Sequence, residues 1–247
     1  MENSQLIGLS RQMVLRRQMD VIANNLANIN TSGYKSDNLL FEEYIMPTAR
    51  MNDFRSLDQK ISYVQDDRIA REFATGAIVE TGKPFNAAIN DDTSFFVIQT
   101  PAGERYTRNG EFDVNAQGQL VTTEGFAVLG EDGPFTFTNE DTNVSISRDG
   151  VISSDRGELG RFRIVTFDDL QALKKEGLSR FAGENPVPVE EADILGGRIE
   201  QSNVHGVVEI SRMIEVTRTY ASLAKALKDT SDLRANAIDT LGRLQNA

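Results

Sequence analysis

The chain is 247 residues long, 39% hydrophobic and 26% charged, with a formal net charge of −11. That length supports one substantial core, or one core with satellite elements. Cysteine is absent, which excludes disulfides, thiolate catalysis and cysteine-based metal sites.

The charge is uneven. Residues 1–35 and 206–247 together carry +3, so residues 36–205 hold −14. An acidic middle argues against nucleic-acid binding, which needs Lys and Arg to neutralise phosphates. No apolar run approaches the roughly 18 residues that span a bilayer, so no membrane insertion is expected. Met1-Glu2-Asn3-Ser4-Gln5 has neither a basic nor an apolar region, so an ordinary secretory signal peptide is not expected.

In chain order, the first element reads as a helix. Leu15, Met19, Ile22, Leu26 and Ile29 recur at spacings of four and three, an apolar seam at coiled-coil spacing. Leu6, Leu9 and Met13 form a similar stripe one residue out of phase. Gly33 is expected to end the segment as a left-handed cap. Residues 1–35 are thus read as the N-terminal helix of a paired-helix base. Residues 36–76 are less periodic and read as an extended connection.

From 77 to 190 the pattern is β. Ser94–Thr100 is apolar and β-favouring. Arg105–Arg108, Phe112–Val114, Leu120–Thr122, Phe126–Leu129, Val144–Ser147, Val151–Ser153 and Phe162–Phe167 read as further strands. Asn115–Gly118 and Arg148–Gly150 read as hairpin turns. Leu170–Lys175 reads as a short helix. Residues 191–203 form the return linker. From 204 to 247 the chain is helical again, about 60 Å long at ~1.5 Å per residue. Met213, Val216, Tyr220, Leu223 and Leu227 mark its seam, and Ile238, Leu241 and Leu244 extend a weaker stripe.

The expected fold is mixed and mainly β. The two terminal helices pair as a coiled-coil-like base, and an antiparallel β domain is inserted between them. Each helix alone is marginal in water and needs a partner, either the other end of the same chain or a neighbouring copy.

Several strings imitate catalytic or binding motifs. Asp113-x-Asn115-x-Gln117-Gly118 followed by Glu124 has the ligand spacing of a calcium loop, but lies between strands and explains itself as a hairpin. Gly76 and Gly82-Lys83-Pro84 miss a phosphate loop, because five residues intervene and Pro84 replaces the hydroxyl. His205 is the sole histidine and reads as a helix-start or interfacial residue. The adjacent acids Asp91-Asp92 and Glu190-Glu191 are expected to face solvent. No catalytic, cofactor or metal site is expected, and the chain is not read as an enzyme.

The most specific string is Ala23-Asn24-Asn25-Leu26-Ala27-Asn28-Ile29-Asn30-Thr31-Ser32-Gly33-Tyr34-Lys35. Asparagines in or beside an apolar seam are poor helix formers and must find partners if buried. One expectation is that Asn24, Asn25 and Asn28 bond to neighbours in a polymer. This segment resembles the N-terminal signature of the flagellar rod and hook protein family. Gly8–Met13, Leu15-Arg16-Arg17, Gln99-Thr100-Pro101, Arg105–Gly110 and Gly125–Gly130 are similar to its proximal-rod members. Ile199–Val204 and Met213–Tyr220 resemble the family's closing motif, so Ser202 and Asn203 join the C-terminal residues read as serving assembly. Asn90–Ser94 departs from the family, being one residue longer and lacking a glycine.

The resemblance implies a structural subunit of the proximal rod, exported through the flagellar type III apparatus and located in the periplasmic part of the basal body. It implies helical stacking with copies of itself and other rod proteins, torque transmission, and a channel for later subunits. A distal-rod or other axial protein is the alternative within the family. A secreted β-domain adhesin on a coiled-coil stem is the alternative from another class.

Overall fold

The computed structural model describes residues 2–45, 62–138 and 140–244. The interior of the expected connection, residues 46–61, lies outside the described residues, as do the side chains of Leu6, Ile238, Leu241 and Leu244. The chain divides into two compact units, one of residues 1–24, 37–70 and 206–247, the other of residues 25–36 and 71–205.

The first unit contains helix α1 (Glu2–Ala27) up to Asn24, a two-stranded sheet of β1 (Asp37–Ile45) and β2 (Ser62–Arg71), and helix α2 (Gly206–Leu244). The helices pair as the spacing indicates. Leu15, Ile22 and Val216 are buried together, with Met19, Met213, Tyr220 and Leu223 packed around them. Gly8 lies against Leu227, and Thr217 contacts Met19. As the number rises along α1 it falls along α2, so the helices are antiparallel. A Cβ on Gly8 would come within 2.5 Å of Leu227 Cδ2, so the missing side chain is what admits Leu227.

The out-of-phase stripe has a different fate. Leu9 is 52% exposed and Met13 66% exposed. Two residues turn a helix by roughly 200°, so Met13 points nearly opposite to Leu15. On α2, Val207, Val208, Ile210 and Ile214 are likewise exposed.

The α-helix ends at Ala27, and the rest of the segment expected to be helical, residues 28–35, is a run of turns leading into extended chain. The asparagines explain the stop, because local hydrogen bonds replace the helical ladder. Asn28 N–H donates to Asn25 O, Thr31 N–H to Asn28 O, and Thr31 Oγ1 to Asn28 Oδ1.

The second unit is the β body. Its strands are β3 (Ile78–Glu80), β4 (Ala87–Ile89), β5 (Phe95–Thr100), β6 (Gly103–Thr107), β7 (Phe112–Val114), β8 (Leu120–Thr122), β9 (Ala127–Gly130), β10 (Gly133–Pro134), β11 (Ser145–Ile146), β12 (Val151–Ser154), β13 (Gly157–Arg161), β14 (Ile164–Thr166), β15 (Lys174–Lys175), β16 (Arg180–Ala182), β17 (Val187–Pro188), β18 (Ile194–Gly196) and β19 (Arg198–Glu200). The main sheet runs β15-β16-β6-β5-β9-β8-β7, and β5 also pairs β14. The short helix after β14 is a single 3-10 turn, Leu170–Ala172, capped by the Asp169 carboxylate.

Strand β5 is the centre. Phe95, Phe96, Val97 and Ile98 are all fully buried, so both faces of the sheet are covered. Alternation sends Phe96 and Ile98 into a cluster with Phe112, Phe135 and Phe162, and sends Phe95 and Val97 into one with Phe73, Phe167 and Phe181. Edge-to-face ring pairs fill both, such as Phe96–Phe112 at 5.2 Å and Phe95–Phe181 at 5.7 Å. The segment read as a return linker contains two strands, Ile194–Gly196 and Arg198–Glu200, joined at Gly197. β18 pairs antiparallel with β4, and β19 with β3.

Candidate functional site

Three segments meet at one buried point of the β body: the turns after α1, the end of β6 and the end of β19. Each brings one ion there. Lys35, Arg108 and Glu200 are at most 1% exposed. Glu200 Oε1 accepts from Lys35 Nζ at 2.7 Å and from Gly76 N–H at 2.9 Å, and Oε2 accepts from Arg108 Nε at 3.0 Å.

Burying ions is costly unless every polar atom finds a partner. Here the donors are used up. The Lys35 ammonium has three donors, and these reach Glu200, Phe73 O at 2.9 Å and Ala74 O at 2.8 Å. Arg108 Nε reaches Glu200. Its Nη1 donates to Ser94 O at 2.6 Å and Asp91 Oδ1 at 3.5 Å, and its Nη2 donates to Thr75 Oγ1 at 3.4 Å and to Asp91 O. Two cations and one carboxylate leave a surplus positive charge, which the part-buried Asp91 carboxylate balances. Burial pulls the Lys35 pKa below its usual 10.5 and Arg108 pulls the same way, against Glu200, which raises it.

The backbone closes the site. Gly33 N–H donates to Glu200 O at 2.9 Å. Gly33 has φ +68°, and a Cβ there would fall within 2.3 Å of Asn109 N. The left-handed conformation expected of Gly33 is present, but it serves this approach rather than a helix end. Gly76, the first glycine of the phosphate-loop imitation, turns its N–H on the chain's own carboxylate. A Cβ on Gly76 would sit 2.0 Å from Gln201 O.

Asn203 ties the next layer. Its Oδ1 accepts from Ser36 N–H at 2.8 Å, and its Nδ2 donates to Glu72 O at 2.8 Å. Ser202 Oγ accepts from Val204 N–H at 3.3 Å. Both lie ahead of the C-terminal helix, in the segment read as the return linker, since α2 begins at Gly206. Tyr34 is fully buried, donates its hydroxyl to Asn25 Oδ1 at 3.2 Å, and lies under Lys175 Nζ at 3.9 Å from the ring centroid.

The remaining sequence candidates fall into place around this. Asn25 and Asn28 are buried with partners inside the chain, Tyr34 and Thr31, while Asn24 is exposed. Leu26 and Ile29 are half-buried. Asp91 does not simply face solvent: its Oδ1 accepts from Thr93 and Ser94 N–H, shaping the loop that lacks the family's glycine. Asp92 accepts from Thr75 N–H at 2.7 Å and from Thr75 Oγ1, which hold its carboxyl below the usual 3.8. In the calcium-loop imitation, Asn115 Oδ1 accepts from Gln117 and Gln119 N–H, Asp113 from Val114 N–H, and Glu124 pairs with Arg180. His205 is exposed just before α2. Among the described residues no helix is long and apolar enough to cross a membrane.

The sequence does not single out the triad, although each member stands in a recognisable motif: Lys35 closes the signature, Arg108 lies in Arg105–Gly110, and Glu200 lies in Ile199–Val204. A charged residue inside an apolar or β-forming motif was the available signal.

Comparison with known proteins divides the chain in the same way. A model described as flagella basal body rod protein matches residues 6–35, ending on Lys35. The flagellar hook protein FlgE/F/G D1 domain matches 88–154, which holds Arg108. The flagellar basal body rod FlgEFG protein C-terminal model matches 195–240, which holds Glu200. The chain is 38% identical to the flagellar basal-body rod protein FlgF of Caulobacter vibrioides, over 99% of this chain and 100% of that protein. It is 32% identical to FlgF of Mesorhizobium japonicum over 98% and 99%, and 31% identical to FlgG of Buchnera aphidicola subsp. Baizongia pistaciae over 89% and 91%. The chain belongs to the flagellar basal-body rod protein family, structural proteins of the rod that include FlgF and FlgG.

Proposed function

We propose that the protein is a proximal-rod subunit that stacks helically with copies of itself and with other rod proteins through its terminal helices. It passes torque from motor to hook, encloses the channel for later subunits, and performs no catalysis. It reaches the periplasmic part of the basal body through the flagellar type III export apparatus.

The observation that carries this reading is the apolar surface left on both helices after they have paired. Leu9 and Met13 on α1, and Val207, Ile210 and Ile214 on α2, lie outside the shared seam and are 48–81% exposed. A lone soluble protein gains nothing from such stripes, whereas a subunit packed on several neighbours buries them, at roughly 1.5–3 kcal/mol per fully buried side chain. Open helical stacking also needs unlike faces to meet, and two helices with separate free stripes provide them.

Deleting the gene and imaging purified basal bodies by electron microscopy tests this. Non-swimming cells whose basal bodies stop inside the rod are the expected result. Complete flagella and normal swimming would contradict it.

A further inference from the structure

The triad raises a question that stability does not answer. Replacing a whole buried ionic cluster by apolar groups of similar size is often neutral or stabilising, and the cost here is confined to the backbone groups the ions serve, the carbonyls of Phe73, Ala74, Asp91 and Ser94 and the Gly76 N–H. What ions add is direction. Each hydrogen bond around Glu200 accepts one donor at one place, and a shift of a single residue would bring Tyr34 or Ser36 to the position of Lys35.

Beside the Asn203 bonds and the backbone bond from Gly33 to Glu200, the surrounding segments have little regular pairing to fix their register. Residues 28–33 are turns, and β3 and β19 pair over only three residues each. The approaches are close on both sides of Glu200, with Gly33 on its carbonyl and Gly76 on its carboxylate. These same segments run in sequence directly out of α1 and into α2, the helices read above as the stacking elements.

We propose that Lys35, Arg108 and Glu200 are positioning residues. They form a polar lock that sets residues 25–36 and 200–204 on the β body in one register, and rod assembly depends on that register rather than on stability contributed by the ions. The proposal rests on the rod-subunit reading.

The test places the full-length triple variant Lys35→Met, Arg108→Met and Glu200→Met in the deletion strain and also purifies it. The lock predicts a purified variant that still folds cooperatively, in a strain whose spreading in soft agar falls at least ~10-fold below that of the wild-type complement. A folded variant that restores full spreading overturns the proposal. If the triple variant does not fold, the single variants Lys35→Met and Glu200→Gln and their double variant, unfolded in urea, decide. The lock predicts a coupling of at least ~10-fold in the unfolding equilibrium, and additive effects overturn it. A deletion strain that swims normally would remove the rod reading instead, and coupling measured on the purified protein would still judge whether the lock exists.

Discussion

Lys35 and Glu200 stand 165 positions apart in the chain and form a 2.7 Å ion pair fully removed from water. The pair joins the end of the N-terminal signature to the start of the closing motif, and Arg108 adds the β body to the same carboxylate. Removing one member leaves buried charge without its partner. Glu200→Gln is therefore expected to destabilise the protein by about 3–5 kcal/mol. Urea unfolding of the variant beside the wild type measures this.

Two glycines with the same backbone angle separate strain from contact. Gly33 and Gly82 both have φ +68°, but a Cβ on Gly33 meets the Arg108–Asn109 backbone, whereas a Cβ on Gly82 meets nothing within 4 Å. Gly82→Ala should cost about 1–2 kcal/mol, the strain of a left-handed alanine. Gly33→Ala should cost about 1–3 kcal/mol more, because backbone on both sides must move. Thermal unfolding of both variants checks the difference.

Asn203→Ala removes one acceptor and one donor that serve Ser36 and Glu72. A loss of about 1 kcal/mol is expected, since the part-buried Ser36 N–H loses its acceptor while the exposed Glu72 carbonyl can turn to water. Amide hydrogen exchange should quicken at Ser36 by more than it quickens in β5, where only the loss of global stability acts.

The pH dependence at the acidic loop follows from Asp92. Two hydrogen bonds from Thr75 stabilise its carboxylate, so its folded pKa lies below 3.8. The unfolded chain therefore binds that proton more readily. The stability contributed is fully present above pH 3.8 and is lost as pH falls through the folded value. NMR titration should place Asp92 below 3.8 in the wild type and closer to 3.8 in Thr75→Val, which keeps only the backbone donor.

Exposed and buried positions of α2 should behave oppositely. Ile214 is 49% exposed, so Ile214→Asp should change unfolding free energy by no more than about 0.5 kcal/mol and yet abolish swimming. Val216, buried against Leu15 and Ile22, should lose helix pairing when changed to Asp, seen as weakened far-UV helical signal.

Period and spacing made much of this legible from residues alone. The seam of Leu15, Met19, Ile22, Met213, Val216, Tyr220 and Leu223 follows from steps of three and four. The β7–β8 hairpin follows from two short apolar runs around Asn115–Gly118. The strands β3, β4, β18 and β19 have three residues each, too few to show alternation, and their partners are remote in sequence, as Ile89 is from Ile194 and Ile78 from Glu200. The stop at Ala27 is hidden because the seam's spacing runs on from Leu26 to Ile29, past the point where the backbone leaves the helix. The triad was hidden for a different reason. Composition places Lys, Arg and Glu at the surface by default. Only the fold reveals that these three share one dry site.

Cryo-electron microscopy of the rod in purified basal bodies shows where the exposed helix stripes go on assembly. Rod subunits of this chain should have Leu9, Met13, Val207, Ile210 and Ile214 buried against neighbouring subunits. A rod built without this chain, or one in which those five side chains face water, would contradict the proposed stacking.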